Sequence, residues 1–177
     1  MTMLAPLVAA EGISKRFTGT QALDEVSFTL ACGEVHALIG ENGAGKSTLI
    51  KCVVGAHPPT EGSIFVDGEA ASFHNPHDAQ GAGISVVHQH ANLVPTLTVQ
   101  ENLNLGQALP RRAGIFVDWR SARKDAVALF RRVNMEIDPR SYVSALRPDQ
   151  AAMVAIAKAI ASESKLIVLD EPTASLS

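Results

Sequence analysis

Two segments far apart in the chain constrain its fold more than anything else in it. The first is Gly40-Glu41-Asn42-Gly43-Ala44-Gly45-Lys46-Ser47, and the second is Leu166-Ile167-Val168-Leu169-Asp170-Glu171. The first has the pattern of a phosphate-cradling loop: glycines let backbone N–H groups close around phosphate oxygens, Lys46 supplies a point positive charge, and Ser47 offers a hydroxyl to Mg²⁺. The second is an apolar strand that delivers Asp170 to a metal and sets Glu171 beside it, where a carboxylate can polarise water for attack on a terminal phosphate. A glycine turn or an apolar strand ending in acids is unremarkable by itself. Together they point to a nucleotide, ATP with Mg²⁺.

The flanking pattern supports this reading. Glu34 to Ile39 reads as a short strand entering the loop, and Lys46 to Val54 as a helix stopped by Gly55. Strand, loop and helix in that order place phosphate at the positive end of a helix. Other predicted strands are Leu7 to Ala10, Val26 to Leu30, Ser63 to Val66 before an Asp67-Gly68 hairpin turn, and Ile84 to Val87. Helix-period apolar residues mark Val99 to Leu105 and Trp119 to Val133, and Ala151 to Ala161 is apolar on nearly every face, so it should be buried. The expected fold is α/β, with a β-rich phosphate-loop core over about 7–90, a helical subdomain over about 91–163, and a return to the core over about 164–177.

Composition sets the remaining bounds. With 177 residues, 46% of them hydrophobic, the chain can bury a real core. A net charge of −3 gives no global argument for nucleic acid or an anionic membrane. Cys32 and Cys52 lack metal-type spacing and read as small buried thiols. No basic leader precedes Leu7, and no apolar run approaches the ~18–20 residues of a membrane span, so any membrane role is expected through a partner. His88 and His90 flank Gln89 but point to opposite faces of a strand, which favours a non-metal reading; His74 and His77 read as surface loop residues. From Gly106 to Arg140 the basic residues Arg111, Arg112, Arg120, Arg123, Lys124, Arg131, Arg132 and Arg140 outnumber the acids Asp118, Asp125, Glu136 and Asp138, which reads as a solvated helical face.

The order of these motifs, with Val86-Val87-His88-Gln89-His90 between them and Glu171-Pro172-Thr173-Ala174-Ser175-Leu176 at the close, resembles the ATP-binding cassette of ABC transporters from about Val8 onward. Within that family the chain is most similar to the ATP-binding proteins of bacterial monosaccharide importers, through Ile39 to Leu49, Leu93 to Asn102, and Ala157-Lys158-Ala159-Ile160. The resemblance implies roles by position. Phe17 would stack on adenine, although a core Phe is the alternative. Gly40, Glu41, Asn42, Gly43, Ala44, Gly45, Lys46, Ser47 and Thr48 would hold the phosphates. Ser47, Gln89 and Asp170 would hold Mg²⁺, with Gln89 also sensing the γ-phosphate. Lys46, Gln89 and Glu171 would serve hydrolysis, Glu171 as general base. The implied partners are transmembrane permease subunits and a second cassette, with no nucleic acid and no direct membrane insertion. The implied place is cytoplasmic, peripheral on the inner face of a bacterial plasma membrane.

Two departures qualify the resemblance. Where the family has a Leu-Ser-Gly-Gly-Gln type signature that reaches ATP on a second cassette, this chain has Leu146-Arg147-Pro148-Asp149-Gln150. The hydroxyl is gone, Pro148 has no N–H, and Asp149 brings negative charge toward an anion, although Pro and Asp both suit a helix start. Arg147 could instead pair with phosphate directly. The sequence also stops at Ser177, before the family's later switch His, so the core is expected to be incomplete at its C-terminal side, with an exposed edge at Leu166 to Leu169. Three readings remain: an importer ATPase subunit, a nucleotide-holding module without turnover, and a non-transport cassette.

Overall fold

The computed structural model describes residues 5–87, 93–106, 111–112, 116–162 and 164–170. They fall into two compact units, divided between Ser85 and Val86.

The first unit is built on an antiparallel sheet of β1 (Val8–Phe17), β2 (Thr20–Leu30), β3 (Glu61–Val66) and β4 (Glu69–Ala71), in the order β2-β1-β3-β4. β1 pairs on both sides, Val8 lying opposite both Leu30 and Val66. Its successive residues Val8, Ala9 and Ala10 are all buried, so this central strand reads as an apolar run rather than as an alternation. Asp67 and Gly68 take φ of 53° and 81°, the two left-handed positions that a two-residue hairpin turn between β3 and β4 requires. Helix α1 (Lys46–Val53) buries Leu49, Cys52 and Val53 and ends two residues before Gly55. Helix α2 (Pro76–Gly81) starts from Asn75, whose Oδ1 accepts from the N–H groups of His77 at 2.9 Å and Asp78 at 3.1 Å.

Three expectations need correction in this unit. Residues 34–40 form no strand; Val35 and Ile39 are 97% and 90% exposed. A strand exists only with a hydrogen-bonded neighbour, and among the described residues none pairs with this segment. His77 lies in α2 rather than in a loop, because Asn75 and Pro76 supply the cap and the first helical residue. Cys52 is buried as expected, but Cys32 is exposed in the turn that follows β2.

The second unit packs α3 (Val99–Asn104), α4 (Trp119–Arg132) and α5 (Pro148–Ala161) around Val99, Leu103, Ala126, Leu129, Phe130, Val143, Val154 and Ala157. Strands β6 (Arg111–Arg112) and β7 (Phe116–Val117) pair antiparallel before α4. Strand β5 (Ile84–Val87), which enters this unit at Val86, pairs with β8 (Leu166–Leu169), and Val87 and Ile167 pack with Ala155, Ile156 and Ala159. Helix α5 was expected to be buried, but only Val154, Ala155, Ala157 and Ala159 are, and Met153 is exposed; it begins three residues earlier than its apolar pattern because Pro148 takes its first turn. Leu169 is 47% exposed.

The connection from Leu93 to Thr98 is held by one side chain. Asn102, fully buried on α3, accepts from the Val94 N–H at 2.7 Å and donates through Nδ2 to the carbonyls of Val94 at 3.0 Å, Thr98 at 3.0 Å and Leu97 at 3.4 Å. On the other side of this connection, Val143 and Ser144 donate to the carbonyls of Leu97 and Pro95, both at 3.1 Å. Thr98 caps α3 in a reciprocal pair with Glu101, whose Oε2 accepts from the Thr98 N–H at 2.7 Å and from its hydroxyl at 2.6 Å. A polar side chain in a core is tolerable only when fully bonded, and Asn102 meets that condition with main-chain partners alone.

Candidate nucleotide-binding site

The phosphate-loop residues form one exposed turn that ends at the start of α1. Gly43 and Gly45 have φ of 85° and 87°, left-handed conformations that let the chain reverse around its own amides. Gly45 is doubly constrained, since a Cβ there would stand 2.6 Å from the Ala22 carbonyl oxygen and 2.9 Å from the Leu23 side chain. The loop is thereby seated against β2 with no room between them. One internal main-chain bond, from the Ala44 N–H to the Glu41 carbonyl at 3.2 Å, closes the turn.

No side chain caps α1, and its first turn carries no acid. The helix therefore presents uncapped N–H groups and the positive end of its dipole where an anion would sit. Lys46 reaches back over the loop, its Nζ donating to the carbonyls of Gly40 at 2.6 Å and Glu41 at 2.7 Å. An ammonium bound only to neutral carbonyls keeps its net charge available to a phosphate. Ser47 is exposed, Thr48 is half-buried, and Leu49 anchors the helix in the core. This arrangement suits a polyphosphate, and the exposed hydroxyl of Ser47 is a hard oxygen donor.

Phe17 stands at the end of β1 and is 41% exposed, which leaves ring surface open to a stacking partner. His57 meets it edge-on, with ring centroids 5.7 Å apart, and Lys15 Nζ lies 5.4 Å from its ring centre while donating to the Pro58 carbonyl at 2.6 Å. Neither partner was singled out from sequence, since nothing in a linear pattern brings residue 57 to residue 17. In the second unit Asp170 follows β8, half-buried, and its N–H donates to the Val87 carbonyl at 3.0 Å. Gln89 and Glu171, like His88 and His90, lie outside the described residues. Among the described residues no three His, Cys, Asp or Glu side chains group as a metal site.

The substituted signature takes a defined form. Arg147 caps α5, and its N–H donates to Gln150 Oε1 at 3.1 Å. Its guanidinium turns onto Asp149 in a two-pronged pair, Nε to Oδ1 at 3.0 Å and a terminal nitrogen to Oδ2 at 2.8 Å. That pairing pulls the Asp149 carboxyl below its ordinary range and raises the guanidinium further. The two charges that distinguish this segment thus largely cancel each other at the surface.

Residues 23–174 match the family description "ABC transporter". The chain is 46% identical over 173 residues to the arabinose import ATP-binding protein AraG of Yersinia pestis, covering 98% of this chain and 33% of that one. It is 45% identical over 172 residues to the ribose import ATP-binding protein RbsA 2 of Streptomyces avermitilis, covering 97% of this chain and 34% of that one. The chain therefore spans about a third of the length of the curated relatives it matches. Among solved structures, the ADP conformation of MJ1267, an ATP-binding cassette of an ABC transporter, superposes with a TM-score of 0.80 at 26% identity, over 96% of this chain and 70% of that one. An intact phosphate loop leading into α1, an acid at the end of β8, and a family match over most of the sequence converge, and the chain belongs to the ABC transporter family.

Proposed function

We propose that this chain is the ATP-binding part of a subunit that energises an ABC importer for a monosaccharide. The observation that carries the reading is the 45–46% identity to ribose and arabinose import ATP-binding proteins over 97–98% of the chain. In this reading residues 1–177 form one nucleotide-binding domain, with its phosphate-loop core over about 7–90, its helical part over about 91–163 and the acid-bearing strand over about 164–177. Phe17 takes the adenine, and residues Gly40 to Thr48 take the phosphates. Ser47, Gln89 and Asp170 hold Mg²⁺, which neutralises phosphate charge when bound.

Hydrolysis follows from these roles. Glu171 accepts a proton from water as the water oxygen attacks the γ-phosphorus in line, and the bond to the β–γ bridging oxygen breaks to release ADP and phosphate. Lys46 exchanges its two carbonyl partners for phosphate oxygens and offsets the charge on the transferred group. Gln89 orients the water and reports the γ-phosphate to the partner. Permease subunits in the membrane and a second cassette complete the machine, which places the chain in the cytoplasm against the inner face of the plasma membrane.

A second reading is favoured by one observation. The Arg147–Asp149 fork stands where the family offers a hydroxyl and glycine amides to a partner's ATP, and it presents neither. A cassette of this kind would hold nucleotide and partner without completing the partner's site.

ATP binding and hydrolysis of the chain with Mg²⁺, measured alone and with an intact cassette, separate the two. Turnover that needs the partner cassette and disappears in both Lys46→Ala and Glu171→Gln marks a working half-site. Binding that is lost in Lys46→Ala, with no turnover under any condition, marks the holding module and removes the enzyme assignment.

A further inference from the structure

Helix α4 has two chemically different sides. Ala122, Ala126, Leu129 and Phe130 are buried, while Arg120, Arg123, Lys124, Arg131 and Arg132 are exposed. At about 100° per residue, Arg120, Lys124 and Arg131 fall within about 40° of one another, with Arg123 on one flank and Arg132 on the other, spread over roughly 18 Å of axis. Asp125, at the margin of the arc, is the one acid on that side.

Three observations separate this face from an ordinary solvated one. Among the described residues the ion pairs within 4.0 Å are His36–Glu34, Arg140–Asp138 and Arg147–Asp149, so none of the five takes part. Asp138, whose carboxyl feels Arg123 as a lesser contributor, is already forked by Arg140, which chiefly holds it low. At its N-terminal end the placement also works against the helix: beyond the Asp118 cap the first turn has no acid, Arg120, Arg123 and Lys124 crowd the positive end of the dipole, and Arg120 and Lys124 repel at i, i+4, whereas Arg131 and Arg132 suit the last turn. Folding gains nothing from the three cations of the N-terminal half, whose charge an external anion would offset. Trp119 and Phe116, 42% and 71% exposed, stand at the N-terminal end of the same helix.

We infer that this face of α4 docks on an anionic phospholipid surface, independently of the nucleotide reading. The charges are carried on long flexible side chains around the outside of a single helix, which suits a diffuse planar field better than a shaped pocket. Exposed indole and phenyl rings at the end of such a helix find their place at headgroup depth. The apolar side of α4 belongs to the core, so contact is by charge and ring edge, without insertion of the helix.

Cosedimentation of the full chain with phosphatidylcholine vesicles, with and without phosphatidylglycerol, tests the inference. Binding should require phosphatidylglycerol and fall by about tenfold or more when salt shortens the screening length from ~10 Å to ~3 Å. The triple variant Arg120→Glu/Lys124→Glu/Arg131→Glu should lose it, and the milder Arg120→Gln/Lys124→Gln/Arg131→Gln should weaken it, so that misfolding of the first leaves a second reading. An equal charge change placed elsewhere, Arg16→Glu/Lys51→Glu/Arg140→Glu, should retain most of the binding. Equal binding to neutral vesicles, or equal loss in the control variant, overturns the proposal. Retention on immobilised polyglutamate without retention on phosphatidylglycerol overturns it in favour of an acidic protein partner. Nucleotide binding measured on the same samples shows whether the site at Lys46 stands or falls separately.

Discussion

Two irregular connections of similar length are built on opposite principles. The phosphate loop, Gly40 to Gly45, closes with one internal main-chain bond and leaves its helix uncapped by any side chain, with Lys46 resting on carbonyls. The Leu93 to Thr98 connection is bonded from both sides, by Asn102 and by Val143 and Ser144, and its helix is capped reciprocally by Thr98 and Glu101. A segment that must receive a ligand keeps its donors uncommitted, whereas one that must hold a shape commits them internally. The difference is visible in polar bonding where neither segment has regular structure.

The comparison breaks first at Asn102. Asn102→Ala strands the half-buried Val94 N–H, while the carbonyls of Val94, Leu97 and Thr98 each keep a main-chain donor, and should destabilise the helical unit by about 2 kcal/mol, read as a lower urea midpoint. Nucleotide affinity at Lys46 should change much less, and an equal loss there would dissolve the contrast. In the phosphate loop, Gly45→Ala meets both a left-handed φ and the Ala22 carbonyl, and should cost roughly 1–3 kcal/mol while weakening nucleotide binding more than any other single-methyl change in the loop. Titration of a fluorescent ATP analogue checks the second part.

A smaller effect sharpens the contrast through pH. Thr98→Ala should cost about 1 kcal/mol as a lost cap. Hydrogen bonds from the Thr98 side chain, then its backbone, lower the Glu101 carboxyl below its ordinary range. A lowered acid stabilises the fold fully above its unfolded pKa, and the contribution is lost as pH falls through the folded value. Chemical denaturation followed from neutral to acid pH should therefore show a shallower decline in Glu101→Gln than in the parent. The least effect is expected of Arg147→Ala: with the pair largely exposed, the unfolding midpoint should not move measurably, although Asp149 should titrate closer to its ordinary range by NMR.

Much of this was legible from sequence because it is local. The glycines and Lys46 of the phosphate loop, the ends of α1 and α4, the Asp67-Gly68 turn and the strand Leu166 to Leu169 follow from turn chemistry and periodicity. The strand expected over residues 34–39 failed because pairing is not a local property; Val35, Leu38 and Ile39 have strand composition and no strand beside them among the described residues. Helix α2 was missed although Asn75-Pro76 is a legible start, because six residues carry too little periodicity to register. The clamp at Asn102 had a faint signal, a polar residue between Val99 and Leu103 on a helix whose apolar neighbours are buried. The Arg147–Asp149 fork could not be foreseen, since the same two residues permit either a phosphate contact or mutual pairing and only side-chain placement decides.

Every bond that Asn102 makes to the connection is to main-chain atoms of Val94, Leu97 and Thr98. The clamp therefore reads the path of the chain without reading its spelling. Over evolutionary time the side chains at Pro95, Thr96 and Leu97 can drift while the path persists, whereas position 102 cannot follow them. One side chain bonded only to main-chain atoms leaves its neighbours' side chains free to differ.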